Sequence, residues 1–183
     1  CDSILIGPGL GSSEGVLEAV IEIVKNLHIS TVLDADAIQC LKKIEKFPLE
    51  QTIVITPHAN EFFNLVDKEV SINETDPKSI VLLRSLAMDL HINVLLKGHI
   101  DYVASEEGHV QTNKTGNAGM TVGGSGDVLS GITASLLAQG LEGYDAAKAA
   151  AYINGRAGDL LAKQKGFAYS ASDIAFTLPY AMK

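Results

Sequence analysis

Short apolar segments alternate with helical segments along most of this chain, and this alternation limits its fold more than any other feature. The predicted strands lie at residues 3–6, 31–33, 51–55 and 93–96. The predicted helices lie at residues 14–27, from after Asp36 to about 43, at 60–67 and at 76–90. Strands that alternate with helices are typical of the α/β class, with a mainly parallel sheet flanked by helices in three layers.

The C-terminal half continues with a hairpin and further helices. Two β-rich runs, residues 102–104 and 109–112, flank a turn and predict the hairpin. A glycine-rich loop and its helix follow, then helices at 144–162 and 170–178. Residues 68–75 are polar and predict a loop. The 183 residues are 46% hydrophobic and contain no linker, so they predict a single domain over 1–183.

A polar motif follows each of the four predicted parallel strands. The motifs are GPGLG at 7–11, DAD at 34–36, TPH at 56–58 and LKG at 96–98. Open α/β sheets bind ligands at the carboxyl ends of their strands. We therefore expect these motifs to meet at one edge of the sheet, although they are far apart in sequence.

The strongest indication of chemistry is the glycine-rich stretch at residues 113–139, which contains Gly124, Ser125, Gly126 and Asp127 ahead of an apolar helix. Glycines allow close backbone approach, and the free N–H groups of a helix N-terminus favour an anion. The stretch predicts an anion hole for a transferring phosphoryl group, with Asp127 as the base on an attacking hydroxyl. The alternative is a glycine turn capped by the aspartate.

Two other motifs carry candidate binding groups. His58 could bind substrate and Glu61 could order a metal-bound water, although helix capping would explain the same residues. Asp34 and Asp36 at a strand end suit Mg²⁺, held through water. The alternative there is that Asp36 caps a helix while Asp34 is solvated.

The fourth strand ends in a lysine and a glycine that suit a nucleotide phosphate. The segment comprises Lys97, Gly98, His99, Ile100 and Asp101. A lone Lys-Gly pair is weak evidence, and glycine turns such as the one containing Gly9 are common between a strand and a helix.

The net charge is −8 and no basic block is present, which argues against nucleic acid or an anionic membrane as a partner. A phosphorylated small molecule remains compatible, because local N–H groups and one lysine can override the global charge. No apolar run reaches the ~18 residues of a membrane span. Cys1 and Cys40 have no metal-ligand spacing, which favours a reducing cytoplasm.

Five segments taken together carry a family resemblance: GPGLG, LDADAI, TPHANE, LLKG and NAGMTVGGSGDVLSG. In this order and spacing the chain resembles the NAD(P)H-hydrate dehydratases of the ribokinase-like superfamily, also known as the YjeF C-terminal domain. The resemblance implies ADP- or ATP-dependent repair of hydrated NADH or NADPH, with Mg²⁺. It also implies a homo-oligomer, often a tetramer.

The resemblance also assigns roles to residues of this chain. Asp127 matches the base, and Gly126 matches the anion hole and a nucleotide contact. The segment 97–101 and Asn117 match nucleotide-binding positions. Gly9 and His58 match positions that contact the hydrated dinucleotide.

In two respects the sequence departs from the family pattern. The family has a further N-terminal section with a glycine-rich turn, so we expect this chain to be N-terminally incomplete. Ser125 stands where threonine is commoner, but the hydroxyl remains. Two alternatives stay open: a kinase of a small hydroxylated metabolite on the same scaffold, and an inactive fragment.

Overall fold

A computed structural model describes residues 1–66 and 77–183 of the chain. Six strands form one sheet in sequence order. The strands are β1 (Ser3–Ile6), β2 (Ser30–Leu33), β3 (Ile53–Ile55), β4 (Asn93–Leu96), β5 (Asp101–Ala104) and β6 (Val110–Asn113). The α-helices are α1 (Glu14–Asn26), α2 (Ala59–Val66), α3 (Pro77–Leu90), α4 (Ser125–Ala138), α5 (Gly143–Lys165) and α6 (Ala171–Ala181).

The sheet is parallel from β1 to β4 and antiparallel from β4 to β6. The predicted mainly parallel sheet and the predicted hairpin are therefore confirmed. In the hairpin turn, the Ser105 N–H donates to the carbonyl of His109, and the Gly108 N–H donates to the carbonyl of Ser105. This hairpin brings β6 back beside α5, where it borders the site described below.

Helices cover both faces of the sheet, which confirms the three-layer prediction. Successive strand residues point to opposite faces. Leu33 and Ile55 join the core beneath α1, α2 and α3, whereas Val32 and Val54 join the core beneath α4 and α5. Each of these four side chains is fully buried. Burial on both sides explains why the parallel strands read as continuous apolar runs.

Helix α5 packs closely because small residues face its neighbours. Four alanines of this helix, Ala146, Ala147, Ala150 and Ala151, are buried against the sheet side. At Gly155 an added Cβ would lie 2.2 Å from Thr115 Oγ1, so only glycine lets the loop before α4 approach here. The close packing of α5 thus depends on its glycines as well as on its alanines.

Element boundaries differ from the predictions in a few places. Residues Ala35–Lys43 form a 3₁₀ helix, and α5 runs three residues beyond its predicted end. The predicted loop at 68–75 and the predicted ends of α2 and α3 at Asp67 and Asp76 lie outside the described residues. Within the described ranges, no helix is both long and apolar enough to cross a bilayer.

Candidate active site

The polar motifs gather at the carboxyl end of the parallel strands, as the α/β topology requires. Three backbone hydrogen bonds continue the strand pairing into them: Asp34 N–H to the Ile6 carbonyl at 3.0 Å, Thr56 N–H to the Leu33 carbonyl at 3.1 Å, and Lys97 N–H to the Pro57 carbonyl at 2.8 Å. The β1 motif reaches the β2 motif at Gly7, where an added Cβ would lie 1.7 Å from the Asp34 carbonyl oxygen. The predicted convergence of the four motifs is confirmed.

A buried ion pair joins two of these strand ends. Lys97 Nζ lies 2.8 Å from Asp34 Oδ1, and the Asp34 side chain is only 2% exposed. The same Oδ1 accepts the N–H of Ala35 and caps the 3₁₀ helix. The alternative in which Asp34 is solvated and Asp36 caps is therefore wrong, and Asp36 Oδ2 instead accepts the Gly11 N–H at 2.9 Å. A buried carboxylate needs this kind of pairing, because leaving it uncompensated costs several kcal/mol.

The glycine loop ends in a helix N-terminus that no side chain caps. Gly124 has φ 89°, a left-handed conformation that favours glycine, and it is the N-cap of α4. The Ser125 N–H donates to the Val122 carbonyl. Within the described chain, the N–H groups of Gly126 and Asp127 have no acceptor. The alternative of a turn capped by Asp127 is wrong, and the first turn of α4 keeps donors available for an anion.

Lys97 adds a positive charge to that helix end. A Cβ built on Gly126 would lie 3.4 Å from Lys97 Nζ, so the ammonium group sits against the first turn of α4. Asp127 is exposed on the same turn, and its carboxylate makes no hydrogen bond or ion pair with any described residue. The lysine, the helix dipole and the unpaired N–H groups are the kind of groups that attract an anion, so the anion hole stays a prediction at this position.

A cavity of about 320 Å³ opens beside this helix end. Seven predicted residues line it: Lys97, Gly98, His99, Asp101, Asn117, Ser125 and Gly126. One wall, the strand-end wall, consists of Lys97, Gly98, Ser125 and Gly126. A second wall, the loop wall, belongs to the loop 115–121 and lines the cavity with Thr115, Gly116, Asn117, Ala118, Met120 and Thr121. Ile100, by contrast, packs against the hydrophobic core, and neither Gly124 nor Asp127 lines the cavity.

Asp101 closes the turn that follows Lys97. Its Oδ1 accepts the Gly98 N–H at 3.1 Å, and its Oδ2 accepts from Asn113 Nδ2 at 3.0 Å. Burial raises the pKa of the Asp101 carboxyl, while these hydrogen bonds and the nearby Lys97 lower it. The carboxylate thus holds the backbone of the predicted nucleotide segment in shape.

The loop wall is held by side chains that come from distant parts of the sequence. Asp159 of α5 accepts the Gly116 N–H and Asn117 Nδ2, each at 3.1 Å. The Tyr169 hydroxyl donates to Asn117 Oδ1 at 2.6 Å, and burial raises the pKa of this tyrosine. Both carboxylate oxygens of Asp159 therefore face the loop. No sequence signal marks these contacts, because the partners are more than forty residues apart.

The predicted substrate residues lie outside this cavity, on neighbouring strand ends. His58 forms a reciprocal cap on α2: its N–H donates to Glu61 Oε2 at 2.7 Å, and its Nδ1 accepts the Glu61 N–H at 3.2 Å. A single bridge pairs His58 with Lys97. Gly9 is exposed with φ 73°. The capping interpretation of His58 is therefore confirmed. Its ring stays half exposed, and substrate binding by His58 stays a prediction.

The predicted metal residues do not assemble into a direct metal site. Across residues 1–66 and 77–183, no three His, Cys, Asp or Glu side chains are placed to hold an ion. Asp34, Asp36 and Glu61 each already accept at least one hydrogen bond. Magnesium commonly keeps several waters and binds through substrate phosphates plus one or two carboxylates. The carboxylates of Asp34, Asp36 and Glu61 are therefore compatible only with Mg²⁺ held through water and substrate phosphates.

Fold and site together define a ribokinase-like α/β protein. A solved structure of a ribokinase-like superfamily protein from Enterococcus faecalis superimposes with a TM-score of 0.79 at 26% identity, over 100% of this chain and 63% of that one. The chain belongs to the NAD(P)H-hydrate dehydratase family, whose sequence model matches residues 1–180. The resemblance stated above is thereby confirmed.

Two relatives show how much of a family member this chain covers. The bifunctional NAD(P)H-hydrate repair enzyme Nnr of Methanothermobacter thermautotrophicus is 35% identical over 99% of this chain and 35% of its own length. The ADP/ATP-dependent NAD(P)H-hydrate dehydratase of Bacillus subtilis, co-crystallized with ATP/Mg²⁺, is 30% identical with a TM-score of 0.86, over 99% of this chain and 64% of that one. The chain spans about a third of the length of the curated relatives it matches.

Proposed function

We propose that this chain dehydrates hydrated NADH or NADPH at the expense of ADP or ATP. The observation that carries the proposal is the cavity in which the Lys97 segment, the loop wall and the N-terminus of α4 meet. Family membership supplies the substrate class. The two relatives above are named for NAD(P)H-hydrate repair and NAD(P)H-hydrate dehydration.

The strand-end wall would receive the nucleotide phosphates. Backbone N–H groups at Gly126 and Asp127 point out of the first turn of α4, and Lys97 Nζ lies against them. Phosphoryl transfer depends on positioning and charge stabilisation more than on covalent chemistry. Losing one preorganised donor of this kind typically costs about 3–4 kcal/mol of barrier.

Asp127 would act as the general base. The hydroxyl oxygen of the hydrated ring attacks the terminal phosphorus, Asp127 takes its proton, and the shortened nucleotide leaves. The ring nitrogen lone pair then expels the phosphate, and loss of a proton from the adjacent carbon restores the dihydronicotinamide. An exposed carboxylate with no partner among the described side chains is free to approach the substrate hydroxyl. Gly9 and His58, on the β1 and β3 ends, would contact the dinucleotide.

Magnesium would supply charge neutralisation on the phosphates when bound. Asp34, Asp36 and Glu61 are proposed to hold it through water, since their carboxylates already accept hydrogen bonds within the fold. We keep Asp34 primarily as the partner of Lys97, because that contact is direct at 2.8 Å.

We also propose a homo-oligomer in a reducing cytoplasm. Phe167, Phe176, Tyr180 and Met182 are all more than 60% exposed near the C-terminus, which favours a partner surface. Cys40 is a free, buried thiol, and burial raises its pKa to about 12, which keeps it protonated at neutral pH. The mass of the purified protein in solution tests the oligomer.

The test of function is recovery of reduced-nicotinamide absorbance. Purified protein, in the form its gene encodes, is incubated with hydrated NADH, Mg²⁺ and either ADP or ATP. We expect absorbance to rise, and Asp127→Asn to lower the rate by about 10²–10⁴-fold while nucleotide affinity stays within about twofold.

Three outcomes would contradict parts of the proposal. No gain above a protein-free blank rejects the dehydratase. A stable phosphorylated product from a vitamin precursor or sugar, without hydrate repair, decides for the kinase alternative. Full activity of Asp127→Asn removes this carboxylate as the base.

A further inference from the structure

The side chain of Asn117 is held by three different parts of the chain. Its Oδ1 accepts the Gly119 N–H at 3.0 Å and the Tyr169 hydroxyl at 2.6 Å. Its Nδ2 donates to Asp159 Oδ1 at 3.1 Å. A carboxylate only accepts and a backbone N–H only donates, and a carbonyl oxygen has two lone pairs. The amide therefore has one allowed orientation, and both of its acceptor positions are occupied.

A run of backbone hydrogen bonds leads from Asn117 to helix α4. Asn117 caps a single turn of 3₁₀ helix, in which the Met120 N–H donates to the Asn117 carbonyl at 3.0 Å. The Val122 N–H then donates to the Met120 carbonyl at 2.8 Å, and the Ser125 N–H donates to the Val122 carbonyl at 3.2 Å. Ser125 is the first residue of α4. A shift of Asn117 would therefore also shift the first turn of α4, with its two unpaired N–H groups.

The connection between α5 and α6 supports the glycine-rich loop at two further points. A Cβ added at Gly119 would lie 2.8 Å from the Tyr169 hydroxyl oxygen, and one added at Gly124 would lie 3.2 Å from Ala171 Cβ. Ser170, between these two residues, fixes the start of α6 with a capping box. The loop thus packs against an ordered segment near Asn117 and again at the N-cap of α4.

We infer that Asp159 is a positioning residue for phosphoryl transfer: through Asn117 it sets the place and direction of the unpaired N–H groups at the start of α4. The inference rests on the proposed function in taking a transferring phosphoryl group as the anion. Asp159 holds the loop at two successive residues, since its Oδ2 also accepts the Gly116 N–H at 3.1 Å. Preorganised donors stabilise a transition state when they point to the position where its charge develops.

Two single variants disturb this contact. Asp159→Asn replaces two acceptors by one acceptor and one donor, so one of the contacts to Gly116 and Asn117 becomes donor against donor. Asn117→Asp places two carboxylates face to face. We expect each to lower the kcat of hydrate repair by about 10–100-fold, as misplaced catalytic groups do, and to change the KM for ATP by less than about threefold.

The double variant Asn117→Asp with Asp159→Asn exchanges donor and acceptor. The introduced amide can donate to the introduced carboxylate and still accept the Gly116 N–H, while the introduced carboxylate can accept from Gly119 and Tyr169. We expect kcat to return to within about threefold of wild type, since the two changes are coupled. All rates are measured well below each melting temperature. Unchanged kcat in the single variants with only a lower melting temperature overturns the inference, and so does a double variant that recovers no activity.

Amide NMR spectra of the ligand-free protein give a readout that needs no activity. We expect the Gly126 and Asp127 N–H signals to shift in both single variants and to return in the double variant. Asp145→Asn is the matched control, because this exposed carboxylate of α5 pairs only with Lys148 among the described side chains, at 2.7 Å. It should leave kcat and both signals unchanged.

The two readouts separate this inference from the proposed function. Signals that shift and return in a protein without hydrate repair would reject the proposed function and keep the positioning role of Asp159. Hydrate repair by the wild-type protein, with unmoved signals and unchanged kcat in the single variants, would do the reverse.

Discussion

The two walls of the cavity are built in different ways. The strand-end wall depends on local backbone geometry, namely the left-handed Gly124 and the free N–H groups of α4, together with one ion pair from Lys97 to Asp34. The loop wall has little regular structure of its own and is tied down by Asp159 and Tyr169. The strand-end wall can therefore be recognised as a short sequence motif, whereas the loop wall depends on side chains from distant positions.

The largest expected effect comes from breaking the ion pair of the strand-end wall. Lys97→Met leaves Asp34 charged and buried, and we expect the free energy of unfolding to fall by about 3–5 kcal/mol. Denaturant titration measures this. Adding Asp34→Asn to the variant should recover a large part of the loss, because the uncompensated charge is gone. No recovery in the double variant would show that the lysine stabilises by packing alone.

A smaller effect is expected from crowding the loop wall. Gly155→Ala places a Cβ within 2.2 Å of Thr115 Oγ1 and within 2.7 Å of the Thr115 backbone. We expect about 1–3 kcal/mol of destabilisation and weaker nucleotide binding, because the loop must shift. Gly131→Ala in α4 is the matched control, since its Cβ meets nothing within 4 Å. That variant should be stabilised by up to about 1 kcal/mol through helix propensity.

Removing one hydrogen bond that holds the loop wall should lower the free energy of unfolding by a smaller amount. Tyr169→Phe deletes the 2.6 Å hydrogen bond to Asn117 Oδ1. We expect the unfolding free energy to fall by about 0.5–1.5 kcal/mol. If this hydrogen bond orders the loop wall, ATP affinity measured by calorimetry also falls. Unchanged ATP affinity would show that the hydrogen bond stabilises the fold without contributing to binding.

The smallest effect concerns pH and Asp101. Burial raises the pKa of this carboxyl above its ordinary value of 3.8, so the folded protein binds a proton more readily than the unfolded chain. Stability from this group is therefore greatest below that value and is lost as pH rises through the raised pKa. Asp101→Asn should flatten the pH dependence of the melting temperature over that window. An unchanged slope relative to wild type would contradict the assignment.

The fold and the strand-end wall could be predicted because their information is local. The local conformation of apolar runs such as residues 93–96, and of the glycines before Asp127, can be predicted from those residues alone. The alternation of strands and helices then places the motifs together. Asp34 was predicted as a metal residue because its lysine partner lies 63 positions away. Asp159 and Asn154 lie within an alanine-rich helix whose pattern indicates packing. The contacts of these two side chains therefore could not be predicted from the sequence.

Helix α5 packs against the sheet through Ala146–Ala151, lines the cavity at Asn154 and anchors the loop at Asp159. This one helix therefore connects the buried face of the sheet to the cavity. Any nucleotide held there favours the folded chain by mass action, about 2.7 kcal/mol at a hundred times its Kd. Resistance to proteolysis in the cell would then rise and fall with the nucleotide supply.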